Sequence, residues 1–151
     1  MQGLSNSVFY ALLMFVAGLG IPVMAALNGG LGGKLQSSAL AASILFLVGL
    51  LVAVTYLLFV EGVPSKFYVQ GTPWHYYLGG FFVMFYILSI TSVAPHFGVA
   101  NAVSFVLLGQ LIAMSLIDHF GFAGAQQYAL TAKRFLGLLV MSAGIFMVLS
   151  K

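Results

Sequence analysis

The chain has 151 residues, of which 62% are hydrophobic and only 5% charged, with a formal net charge of +3. Soluble domains usually carry about 25% charged residues, so two acids and five cations cannot solvate a globule of this size. The absence of cysteine excludes disulfides and thiolate metal sites, and the sparse cations exclude a nucleic-acid footprint.

Lipid is therefore the expected solvent for most of the surface, and a helix needs about 20 apolar residues to cross it. The first qualifying stretch is Val8 to Leu27, with no basic segment before it to suggest a cleaved signal peptide. It ends in Asn28-Gly29-Gly30-Leu31-Gly32-Gly33-Lys34, whose four glycines predict a helix-breaking loop. Gly29 and Gly33 have GxxxG spacing, but placed in a loop they predict no helix packing. The second stretch, Ala39 to Val60, opens behind Ser37 and Ser38 as N-caps. Glu61, Gly62, Pro64, Lys66, Gly71 and Pro73 mark a loop, and Trp74, Tyr76 and Tyr77 form an interfacial aromatic belt.

A third span covers residues 74–94, and Pro95-His96-Phe97-Gly98 is a tight break before a fourth at 99–117. Asp118-His119-Phe120-Gly121 closes that span at the opposite interface. The last, residues 131–150, begins with Lys133 and Arg134 snorkelling to the headgroups. A β-barrel would alternate apolar and polar residues, whereas Ile44 to Val54 is apolar on every face. The fold class is thus all-α integral membrane, one domain over residues 1–151 with five transmembrane helices near 8–27, 39–60, 74–94, 99–117 and 131–150.

Lys and Arg concentrate on the cytoplasmic side of most membrane proteins. Here one side holds Lys66, Lys133 and Arg134, and the other Lys34 and Lys151. Three against two gives the insertion machinery little instruction, so the same chain is expected to enter in both orientations. Two oppositely oriented copies make an antiparallel homodimer, and ten helices in two inverted halves is a common transporter architecture.

No charged side chain falls mid-span, which argues against a central carboxylate exchanging protons for a cation. Asn101, Ser104, Leu108, Ser115 and Asp118 fall along one stripe of the fourth span, and Gln110 projects from a different side. By depth, Gln110, Tyr86 and Ser104 are the expected substrate pathway, with Asn101 nearer its mouth. The competing reading makes these polar groups hydrogen-bonded glue between helices. Asn28, Asp118, His119, Trp74 and Arg134 sit at span ends as gates or interface anchors. Asp118 is expected to pair with Lys133 or Arg134. Nothing completes a metal-ligand set, and the lack of a nucleophile–base pair or phosphate-binding loop predicts neither enzyme activity nor a cofactor.

The run Gly109-Gln110-Leu111-Ile112-Ala113-Met114-Ser115-Leu116-Ile117-Asp118-His119-Phe120-Gly121 resembles the signature of the YdcZ family. Pro22, Asn28 to Gly32, Trp74 with Gly79-Gly80, and Arg134 with Gly137 and Gly144 extend the resemblance over nearly the whole chain. It implies a half-size relative of the drug/metabolite transporter superfamily in the bacterial inner membrane. The family includes dual-topology homodimers, paired oppositely oriented paralogues and fused proteins. The resemblance supplies no substrate. The expectation is a transporter of a small neutral or anionic metabolite, with itself, the bilayer and the substrate as partners. A passive small-solute or ion channel, and a non-transporting assembly subunit, are the alternatives.

Overall fold

The computed structural model describes residues 2–66 and 69–149, so the expectations that fall on Ser150 and Lys151 lie outside the described residues. Every regular element among them is helical: α1 (Gln2–Leu35), α2 (Ser38–Tyr56), α3 (Gly79–Phe97), α4 (Val99–Phe120) and α5 (Ala132–Leu149). A π turn, Leu57–Glu61, prolongs α2, and a 3₁₀ turn, Trp74–Leu78, leads into α3. Four helical stretches have the length and apolarity to cross a membrane: Asn6–Leu35, Ser38–Glu61, Trp74–Phe97 and Val99–Phe120. The chain divides into two compact units, Met1–His96 and Phe97–Lys151.

The largest departure from the sequence reading is at the end of α1. The expected loop at Gly29 to Lys34 is helix, and α1 stops only at Leu35. Glycine weakens a helix in water, but it is frequent in membrane helices, where an unsatisfied backbone in lipid costs more. The buried positions of this half of α1 explain the glycines. Ala25, Asn28, Gly29 and Gly32 recur at i, i+3, i+4 and i+7, one stripe of a helix. A Cβ on Gly29 would touch Pro95 at 3.6 Å, and one on Gly32 would meet Thr91 Cγ2 at 2.9 Å and Ser38 Cα at 3.6 Å. The small residues let α2 and α3 approach the α1 backbone. Gly33, the other half of the GxxxG pair, faces open space.

The chain reverses instead at Gln36, whose φ of 51° is left-handed. Its side-chain amide donates to Gly33 O at 2.6 Å, satisfying a carbonyl of the last turn of α1. Ser37 then caps α2, its Oγ accepting from Leu40 N–H at 3.1 Å, as expected for a serine there. α2 buries Ala41 and Ala42, while α3 buries Ile87, Ile90, Thr91 and Ala94 at the same helical spacing.

Two other boundaries shift. Pro95 lies inside α3, so the expected break from Pro95 to Gly98 shrinks to Gly98 alone, at φ 90°. α4 runs past Ile117 to Phe120 and ends where Gly121 takes the left-handed conformation, its N–H bonding Ile117 O. Asp118 and His119 are thus in its last turn rather than beyond it. In the second unit Leu111 and Ser115 of α4 are buried. On α5 the half-buried positions Arg134, Leu138, Ser142 and Ile145 form a single stripe. Phe105 of α4 meets Phe146 of α5 edge-on at 6.2 Å.

Large apolar side chains such as Phe9, Phe15, Leu50, Phe81 and Phe85 are exposed, whereas Asn28, Thr91 and Ser115 are buried. That is the inverse of a water-soluble surface, and lipid is the solvent that suits it.

Candidate functional site

Polar side chains gather at two places, one in each unit. In the first, the Asn28 amide donates to the Thr91 hydroxyl. Asn28 is 5% exposed and Thr91 1%, so this bond is sealed between α1 and α3. In an apolar medium each group would otherwise lack a partner. Asn28 is therefore a structural tie in this unit. Because α1 runs on to Leu35, it lies two turns inside the helix and not at the span end expected from the sequence.

Where α1 turns into α2 and α3 ends, a cavity of about 250 Å³ opens. Its side chains are those of Gln36, Ser37, Ser38, Thr91, Ser92 and His96, with Gly32, Gly33 and Pro95 completing the wall. Sequence reasoning did not assemble this group. Ser37 and Ser38 read as caps, and His96 as a residue at a span end. The only available signal was that two hydroxyl pairs, Ser37-Ser38 and Thr91-Ser92, lie close to span ends on the same side of the membrane.

In the second unit, Arg134 Nη2 meets Asp118 Oδ2 at 2.6 Å, the pairing expected for Asp118. Both side chains keep contact with the outside, at 39% and 25% exposure. Arg134 Nη1 also donates to Tyr128 O at 3.2 Å, and its guanidinium lies 6.0 Å from the Tyr128 ring centre. The segment after α4 is strapped back onto the helix end. Tyr128 N–H donates to Asp118 O at 2.8 Å, the Gln127 amide to His119 O at 3.0 Å, and Leu130 N–H to His119 Nδ1 at 3.2 Å. His119 Nδ1 must then offer a lone pair, which leaves the ring proton on Nε2. The α4 carbonyls that lack intrahelical partners are satisfied in this way. Asp118, Tyr128, Ala129, Thr131 and Arg134 border an open hollow of about 500 Å³.

The four pathway candidates fall differently. Tyr86 belongs to the first unit, half-buried on α3, and its hydroxyl is buried with no hydrogen-bond partner among the described residues. Asn101 and Ser104 are half-buried on α4, and Asn101 spends an amide hydrogen on Phe97 O at 2.8 Å. Ser115 likewise bonds its own helix at Leu111 O. Gln110 lies about half a turn around α4 from Asn101. It is exposed and makes no hydrogen bond among the described residues. Trp74, with Tyr76 and Tyr77, is exposed in the 3₁₀ turn before α3.

Among the described residues no group of three His, Cys, Asp or Glu side chains is placed to hold a metal ion. Residues 9–147 match the model of the family described as "Putative inner membrane exporter, YdcZ". No curated protein and no solved structure matches the chain.

Proposed function

We propose, since this chain belongs to the YdcZ family and is a multi-pass protein of the inner membrane, that it exports a small neutral or anionic metabolite. It does so as an antiparallel homodimer of five-span subunits that alternates access to the two sides. α5 supplies the fifth span. Its 18 residues extend about 27 Å, slightly short of a core of about 30 Å, and Lys133 with Arg134 completes the crossing by snorkelling.

The observation that carries this reading is Gln110. A primary amide has two donors and two acceptor sites, and hydrocarbon offers none of the partners they require. Exposed on an apolar helix with no hydrogen bond among the described residues, Gln110 calls for a second copy or a solute to pair with it. An inverted dimer supplies both, because a site shared by two opposed copies lies on their two-fold axis near the midplane. Tyr86 and Ser104 are the further candidates for the pathway, the Tyr86 hydroxyl being without a hydrogen-bond partner among the described residues.

Gln110→Ala is the test. Reconstituted in liposomes, the variant should lose saturable transport of whatever solute the unmodified chain carries, while cross-linking still captures the dimer. Normal transport by the variant, or loss of the dimer together with the activity, would show that Gln110 serves packing.

A further inference from the structure

The cavity at the α1–α2 turn is assigned no role by the transport reading, and its walls are unlike the rest of this chain. Of its six side chains beyond glycine and proline, four carry hydroxyls, one an amide and one an imidazole. In a chain that is 62% hydrophobic, that concentration does not suit lipid contact, and beyond the Ser37 cap and the Thr91 tie it leaves Ser38, Ser92 and His96 without a packing role. Among the residues that line it there is no carboxylate, ammonium or guanidinium. A charged solute drawn from water would find no permanently charged partner there, and desolvating an ion without one is strongly unfavourable. A neutral solute with several hydroxyls exchanges its water bonds for bonds to groups that both donate and accept. Gly32 and Gly33 add no side chain to the space, and Thr91 in its wall is held by the Asn28 amide.

We propose that this cavity is a binding site for an uncharged, polyhydroxyl solute, at the mouth of the export pathway. The proposal rests on the exporter reading and narrows its substrate from neutral or anionic to neutral. Ser38 of α2 and Ser92 of α3 bond the solute's hydroxyls, with His96 and Gln36 completing the polar lining.

The chain has no cysteine, so one introduced thiol reports the site without background. Gly33→Cys adds a side chain where nothing lies within 4 Å, at the cavity wall. Gly30→Cys, equally open but not part of the wall, is the control, and Ser38→Cys is a second reporter should Gly33→Cys assemble poorly. In purified full-length protein the maleimide labelling rate is measured with xylitol and with xylonate, a pair matched in size and differing in charge. Xylitol should slow labelling at Gly33→Cys saturably, and xylonate should not. Adding Ser92→Ala should raise the xylitol concentration needed by about tenfold, the loss of one well-made hydrogen bond. Protection by xylonate alone, by neither solute, or equally at Gly30→Cys overturns the proposal. Flux of labelled xylitol into vesicles separates the two claims. Protection without flux keeps the site and counts against the exporter reading, whereas xylitol flux without protection keeps the exporter and removes the site.

Discussion

Gly32→Ala should destabilise the protein, while Gly33→Ala, one residue away, should not. The new Cβ at position 32 would sit 2.9 Å from Thr91 Cγ2, against a comfortable carbon–carbon separation of about 3.5–4.0 Å. Thr91 has little room to yield. It is 1% exposed, its β-branched side chain is stiff, and its hydroxyl holds the Asn28 amide. The helices must part or the hydrogen bond must break, and overpacking of this kind costs about 1–3 kcal/mol. Alanine's better helix propensity returns up to about 1 kcal/mol. At Gly33 nothing lies within 4 Å, so only the propensity gain remains. Since that gain is common to both variants, their difference isolates the contact at about 1–3 kcal/mol. Unfolding by SDS in mixed micelles, followed by helical circular dichroism, measures it. Equal midpoints for the two variants would mean that α1 and α3 do not meet through Gly32, and would refute the packing described for the first unit.

Thr91→Val leaves the Asn28 amide buried without its acceptor and should cost about 1–3 kcal/mol, towards the low end in a membrane protein; Asn28→Leu with Thr91→Val should recover part of the loss in the same assay. His119→Asn keeps an acceptor near the position of Nδ1, whereas His119→Ala removes it, so amide exchange at Leu130 should accelerate in the alanine variant only; equal acceleration would discount the bond. Arg134→Gln should raise exchange in the strap after α4 yet change global stability by no more than about 1 kcal/mol, because the ion pair is partly exposed. Removing Lys133 and Arg134 together leaves one cation against two and should shift the ratio of orientations reported by C-terminal fusions; a single fixed orientation before and after would sink dual topology.

The helices were legible because apolar runs of about 20 residues have few other uses. The Asp118–Arg134 pair was legible because the chain has so few charges that each acid had few possible partners. The glycine-rich end of α1 misled because rules for glycine as a helix breaker come from water, where an open backbone is solvated. The spacing of Ala25, Asn28, Gly29 and Gly32 carried the correct signal, since a loop has no reason to keep small residues at i, i+3, i+4 and i+7. The polar cavity was out of reach, because it joins residues 36–38 to residues 91–96 through a crossing that no local pattern specifies. Gln110, by contrast, stands apart from the polar stripe in sequence, and in the structure it is exposed and makes no hydrogen bond among the described residues.

The bond between Arg134 and Asp118 also sets an order of events. Insertion reads cations as segments emerge, and carboxylates count for little in that reading. Arg134 therefore weighs as a full positive charge when orientation is chosen, although in the folded chain it is paired with Asp118. On the five-span reading, the side with three cations also holds both acids, Glu61 and Asp118. Counting side chains alone, that side carries +1 in the finished protein against +2 for the other, a difference of one charge. A difference this small gives the membrane potential little hold on the orientation of the finished protein. Once folded, a subunit keeps whichever it was given, because turning over would carry the ion pair and both loops through hydrocarbon. A mixed population would then be a record of insertion, with no later exchange to correct it.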